Sequence, residues 1–256
     1  MIFGAFPIIL ITLTSFLSRT PYHFAALPFT LEHYQTLFSP LFLKVFLRSL
    51  GVGTLTTLLC LLIAYPMSYL MVKSKHQSIL LLLIIIPFWT SSLVRTYALL
   101  AILKMNGLLN LMLQNLHLTE QPLSLLYTNT AVIVGLVYTL FPFMVLPLYT
   151  QMERFDFRLL DAGRDLGAGG LRLFFHIFLP NTKRGIIAGV TLVFLPAMTL
   201  FYIPNILGGA RSVLIGNLIQ NQFFAAENWP QGAATSVLLT LLLLSFFIFF
   251  RRAREL

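Results

Sequence analysis

The polar residues that could do chemistry concentrate in one stretch, 151–184. It holds six of the seventeen basic residues and four of the eight acids, Glu153, Asp156, Asp161 and Asp165. Over 151–166, apolar Phe155, Leu159, Ala162 and Leu166 recur at helical spacing among those charges. Gly167-Ala168-Gly169-Gly170 then breaks the helix, because glycine accepts the positive φ of a helix C-cap. A second short helix over 171–178 is apolar on one side through Phe174, Phe175 and Phe178, and Pro180 is expected to stop it. The pattern predicts two short helices at an angle, carrying an apolar ridge. The chemistry that suits it is docking into a groove of a soluble partner, not catalysis.

Catalytic and redox constellations are missing from the sequence. The five histidines, His23, His33, His76, His117 and His176, include no pair at i, i+4 spacing for a metal. Cys60 is the single cysteine, so neither an internal disulfide nor a thiolate metal cage can form. There is no G-x-x-x-x-G-K-[ST] loop, and Gly167, Gly169 and Gly170 have no following Lys, so they read as a turn. No cofactor, no metal and no catalytic residue is expected. Energy for any active process must come from a partner.

The elements that position this stretch are membrane spans. Of 256 residues 58% are apolar and 10% charged, with mean hydropathy +0.87. No soluble domain of this length could bury that much apolar surface. Six runs are long enough to cross a bilayer as helices: 1–17, 45–71, 79–103, 130–149, 185–207 and 233–250. With the N-terminus inside, cytoplasmic segments hold eleven basic residues: Lys73, Lys75, Arg154, Arg158, Arg164, Arg172, Lys183, Arg184, Arg251, Arg252 and Arg254. The outer segments and adjoining span ends hold six: Arg19, Lys44, Arg48, Arg95, Lys104 and Arg211. The excess puts both termini in the cytoplasm. It also accounts for the net charge of +9 through membrane topology and anionic lipid, without nucleic acid. The first run has no basic flank before it and no A-x-A-like site after it, which favours a retained helix over a cleaved signal. The missing flank also leaves the true start of the chain open. The long outer connections, 18–43, 104–129 and 208–232, are expected to be small helices and turns on the outer face, and the whole chain one membrane domain.

No Asp or Glu lies inside the spans, which argues against a transporter driven by its own proton or sodium relay. Seven prolines do: Pro7, Pro66, Pro87, Pro142, Pro147, Pro196 and Pro204. Each removes a backbone donor, and together they favour helices lining a route that opens and closes. Gly185 and Gly189 form a small-x-x-x-small face, fit either for a sister subunit or for a neighbouring helix.

The loop carries a specific resemblance. Asp161-Ala162-Gly163-x-x-x-Gly167, nine residues, then Ile177-x-Leu179-Pro180 resembles the E-A-A-x-x-x-G-x(9)-I-x-L-P loop of bacterial ABC importer permeases, with Asp for Glu and Gly for the second Ala. From Thr30 onward, further stretches resemble the B-type permeases of spermidine/putrescine importers. Among them are Pro87-Phe88-Trp89-Thr90, Arg95-Thr96-Tyr97, Gly135-Leu136-Val137-Tyr138, Leu195-Pro196-Ala197-Met198 and Gly216-Asn217-Leu218-Ile219.

The resemblance implies an all-α, six-span subunit in the bacterial inner membrane. It also implies a homologous second permease, two copies of a cytoplasmic ATPase that hydrolyses the ATP, and a periplasmic substrate-binding protein. Asp161, Ala162, Gly163, Gly167, Ile177, Leu179 and Pro180 would dock the ATPase. For a polycationic cargo the spans offer ring faces in place of acids, each worth about 0.5–2 kcal/mol to an ammonium group. The candidates are Trp89, Tyr97, Tyr138, Phe141 and Tyr202, with Phe88, Phe143 and Phe201 beside them. Asn205, next to Pro204, offers an uncharged acceptor where relatives of this subgroup are expected to carry an acid as often as an amide. That substitution keeps a second cargo open, another small solute carried by the same class of importer. A stand-alone channel is the remaining reading, and it has no need of the loop.

Overall fold

The computed structural model describes the backbone of residues 2–20, 23–209 and 212–255, and the side chains of 6–19, 27–209 and 212–245. Arg211 and the side chains of Arg251, Arg252 and Arg254 therefore lie outside the described residues. The chain is mostly helical. In order it forms α1 (Ile2–Thr14), strands β1 (Leu17–Thr20) and β2 (His23–Phe29), α2 (Glu32–Thr36), α3 (Pro40–Lys73) and α4 (Gln77–Ile85). There follow α5 (Ser92–Leu103), α6 (Leu108–Asn115), α7 (Asn129–Glu153), α8 (Arg158–Asp165) and α9 (Gly170–Leu173). The last three are α10 (Leu179–Thr199), α11 (Ile215–Phe224) and α12 (Trp229–Glu255).

Among the described residues, length and composition make three helical stretches capable of crossing a membrane: Pro40–Lys73, Ser92–Asn115 and Asn129–Glu153. Gln77–Trp89 and the described part of α12, Trp229–Ser245, are apolar as well. α3 begins on a proline, whose missing N–H is no loss in a first turn, and ends on Lys73, where a cation complements the helix dipole.

Three local expectations are corrected. The run 79–103 is not one helix: it divides into α4, a 3₁₀ turn over Ile86–Trp89, and α5. Pro87 sits in that turn, and Thr90 is extended at ψ 148°. The outer segment after the first run is not only helices and turns, since β1 and β2 pair antiparallel with Leu17 opposite Phe29. Finally, Pro180 does not stop the second loop helix. A π-helical turn over Phe174–Phe178 runs directly into α10, and the helix continues through Pro180. Just beyond it, Asn181 Nδ2 donates to the Ile177 carbonyl at 2.7 Å and Thr182 Oγ1 to the Phe178 carbonyl at 3.0 Å.

The chain divides into two compact units. One comprises Met1–Val52, Leu100–Val132 and Met198–Glu255; the other comprises Gly53–Leu99 and Ile133–Ala197. In the first, Leu37, Phe42, Ile215, Ala234 and Leu239 form a buried cluster. Polar bonds pin its ends: Ile215 N donates to Ser49 Oγ at 2.8 Å, and His33 Nδ1 lies 3.0 Å from Gln231 Oε1. In the second, Cys60, Ala64, Leu136, Met144, Leu148 and Val193 are fully buried. Here the Gly185/Gly189 face meets a neighbouring helix of the same chain. A Cβ on Gly189 would stand 2.6 Å from Met144 Sδ, and one on Gly185 2.8 Å from Gln151 Cβ, both on α7. Only glycine lets α10 approach that closely.

Candidate functional site

The loop residues are held by an aromatic cluster at the end of α3. Phe178 is its hub, with ring centroids 5.2 Å from Phe155, 5.3 Å from Tyr69 and 5.9 Å from Tyr65. Edge-to-face pairs of this kind contribute about 0.5–1.5 kcal/mol each beyond burial. Tyr65 also bonds Thr182 Oγ1 through its hydroxyl at 2.8 Å. The Lys73 ammonium lies 4.6 Å from the centre of the Tyr69 ring and 5.6 Å from that of Phe157.

On this anchor α8 and α9 fold against each other. Gly163 is buried, and a Cβ there would stand 2.5 Å from Leu173 Cδ2 and 3.0 Å from Ile177 Cδ1. Gly167 has φ +80°, the left-handed conformation that ends α8. Its amide donates to the Arg164 carbonyl at 2.8 Å and that of Ala168 to the Gly163 carbonyl at 3.0 Å, closing the helix end. Of the expected ridge, Phe155 and Phe178 turn inward, whereas Leu159, Ala162 and Leu166 stay exposed beside Leu171 and Phe175. Asp161 points outward and pairs with Arg164 at 2.6 Å. Ile177 and Leu179 are half-buried, and Pro180 is exposed.

The second group of candidates is divided between the two units. In one, the Arg95 guanidinium lies over Phe88, 4.1 Å from the ring centre, and 5.9 Å from that of Tyr138. Phe88 packs edge-on against Phe143 at 5.9 Å. Trp89 and Tyr97 are exposed, and Phe141 is half-buried. In the other unit, Asn205 Nδ2 donates to Gln220 Oε1 at 2.8 Å, while Asn205 Oδ1 accepts from Asn217 Nδ2 at 2.5 Å. Asn217 also donates to the Phe201 carbonyl at 2.8 Å, and Tyr202 packs edge-on against Phe201. Sequence reasoning missed Asn217 and Gln220 as partners of Asn205. Their signal was two amides three residues apart, on one face of a helix that carries four amides, Asn217, Gln220, Asn221 and Gln222.

Residues 57–254 match the family described as "Binding-protein-dependent transport system inner membrane component". The chain belongs to this family. Among relatives of this permease, the "Spermidine/putrescine transport system permease protein PotB" of Haemophilus influenzae is 46% identical over 252 residues, covering 97% of this chain and 88% of the relative. The protein of the same name from Escherichia coli is 45% identical over 257 residues, covering 99% and 94%. The "Inner membrane ABC transporter permease protein YdcU" of Escherichia coli is 30% identical over 87% of the chain and 75% of the relative. A bacterial ABC transporter involved in import of the acidic polysaccharide alginate superposes with TM-score 0.78 at 14% identity, over 97% of this chain and 88% of that one. That likeness establishes the permease fold alone.

Proposed function

We propose that this permease forms half of the translocation pathway of an ATP-driven importer that carries polyamines, spermidine or putrescine, into the cytoplasm. The observation that carries the cargo is identity of 45–46% over nearly the whole chain to proteins named for spermidine/putrescine transport. In this reading the chain is one membrane domain of six spans, 1–17, 45–71, 79–103, 130–149, 185–207 and 233–250, with both termini in the cytoplasm. The chain works with a homologous second permease, two copies of an ATPase and a periplasmic binding protein. A solved bacterial alginate ABC transporter of the same fold is in complex with an alginate pentasaccharide-bound periplasmic protein, which supports the last of these.

The loop 151–184 is the ATPase dock. Its exposed ridge of Leu159, Ala162, Leu166, Leu171 and Phe175 supplies apolar area for a groove, and Asp161 and Pro180 flank it. The ring faces of Trp89, Tyr97, Tyr138, Phe141 and Tyr202 and the amide of Asn205 serve the cargo as a series of weak sites. Weak sites suit a route, because a bound cation must leave again. A second reading keeps the importer and changes the cargo to an uncharged or less charged solute. It rests on the Asn205–Gln220 amide pair, which offers hydrogen bonds without negative charge.

Gly167→Val tests the dock. Nothing lies within 4 Å of a Cβ at Gly167, so the substitution strains only the backbone at φ +80°, by about 1–2 kcal/mol. The expected result is normal membrane insertion and substrate-stimulated ATP hydrolysis lost in the reconstituted complex, with Gly167→Asn close to wild type. Normal stimulated hydrolysis in Gly167→Val overturns the dock.

A further inference from the structure

An apolar groove runs along one face of α3 and meets the loop. Its loop end is a cavity of about 380 Å³ walled by Tyr65, Tyr69, Leu160, Leu173 and Phe174, with Arg164 at the lining. A second hollow of about 500 Å³ continues it past Leu58, Leu61 and Leu62 toward Ile186 on α10. The two share Tyr65, Pro66 and Phe174. The hydroxyl of Tyr65 is already bonded to Thr182, so its ring is what the groove presents. From Leu58 to Tyr69, α3 rises about 16 Å. That is roughly half of the ~30 Å hydrocarbon core, the depth of one leaflet.

Charge is confined to one end. Arg164 lines the loop cavity, and the Lys73 ammonium stands over Tyr69, which forms its wall. Arg164 pairs with Asp161 through Nη1, so its Nε and Nη2 donors lie outside that pair. An occupant must therefore be a long apolar chain with an anionic head. We propose that this groove binds one acyl chain of an anionic phospholipid, with its phosphate held between Lys73 and Arg164. Leu160 and Leu173 belong to α8 and α9, so the lipid forms part of the packing that holds the loop. The proposal requires only that α3 crosses the membrane, and it is independent of the cargo.

The test places a reporter in the groove. Phe174→Trp keeps a ring at the junction of the two hollows, and the full-length parent, with Trp89 and Trp229, supplies the background fluorescence. Both proteins are reconstituted in phosphatidylcholine vesicles containing a minor fraction of brominated phosphatidylglycerol or of brominated phosphatidylcholine. The reporter is expected to be quenched severalfold more by the brominated phosphatidylglycerol than by brominated phosphatidylcholine at equal mole fraction. Lys73→Gln combined with Arg164→Gln should abolish that preference. As a check free of the reporter substitution, native mass spectrometry of the unmodified chain with both lipids supplied in equal amounts should retain one phosphatidylglycerol. Equal quenching by the two lipids, together with no preferential retention, overturns the proposal. A preference that survives the double substitution also overturns it, because the phosphate is then held elsewhere.

Discussion

The Arg95 guanidinium stacks on the Phe88 ring at 4.1 Å, and Arg95 is only 8% exposed. Among the described residues its Nε and Nη1 donors have no acceptor. The rings of Phe88 and Tyr138 return about 0.5–2 kcal/mol each, whereas desolvating an ion costs several kcal/mol. Arg95 is thus a net cost in the single chain. Its charge lies over a ring. Arg95→Met is expected to stabilise the isolated, detergent-solubilised chain by about 1–3 kcal/mol. Arg95→Lys should destabilise it, because an ammonium cannot stack flat on Phe88. Thermal unfolding in detergent reads both, and a melting point for Arg95→Met below that of the parent sinks the argument.

Gly163 and Leu173 make the second prediction. The related loop pattern has alanine where this chain has Gly163, and the structure gives the reason: Leu173 occupies the space a Cβ would need. Leu173 is 5% exposed, but the atom in the way is the end of its side chain, which also walls the loop cavity and can give a little. Gly163→Val should destabilise the loop by about 1–3 kcal/mol through overpacking, with a smaller cost for Gly163→Ala. Trimming the neighbour, Leu173→Ala, should restore much of the loss, so the pair should be strongly non-additive. A double-mutant cycle in unfolding free energy measures it, and simple additivity would show that the two side chains do not compete for the same space.

Some of this was legible in residue order and some was not. The turn at Gly167 follows from local chemistry, since only a residue tolerant of positive φ ends α8 there. The period of Leu159, Ala162 and Leu166 reported a shared face, and that face is exposed. Pro180 misled because proline does not always stop a helix: here it follows the π-turn over Phe174–Phe178, and the helix continues through it into α10. The inward turn of Phe178 depends on Tyr65 and Tyr69, more than a hundred positions away, and no local pattern carries it. The break after Pro87 and the strands at Leu17–Thr20 and His23–Phe29 lay within apolar or mixed runs that helix-length reasoning smooths over.

Asn217 carries the third prediction. It is 2% exposed, donates to the Phe201 carbonyl and Asn205 Oδ1, and accepts from the Leu214 amide at 3.1 Å. Asn217→Asp keeps the acceptor but sets a carboxylate against two acceptor oxygens. The expected loss is about 2–4 kcal/mol, larger than for Asn217→Ala, since a buried charge facing acceptors is worse than an empty place. Thermal unfolding orders the three proteins. If Asn217→Asp is as stable as the parent, the amide network around Asn205 is not holding the Phe201 to Asn205 segment.

The last prediction concerns the proposed route. Trp89 closes the 3₁₀ turn after Pro87 and is 81% exposed, so a leucine there disturbs little packing. Tyr202 is half-buried, edge-on to Phe201 at 6.1 Å, two residues before Pro204. If cations cross on ring faces beside prolines, removing either ring should slow transport and leave the helices in place. Trp89→Leu and Tyr202→Leu are expected to lower spermidine uptake by severalfold, whereas Tyr202→Phe keeps the face and should be milder. The loss should fall on maximal rate more than on half-saturating concentration, because a separate binding protein delivers the cargo in the proposed assembly. Uptake is measured in cells at matched membrane expression for the parent, Leu and Phe proteins. Leucine variants as fast as the parent would make these rings packing residues, and the ring-face route would then be wrong even with polyamine as the cargo.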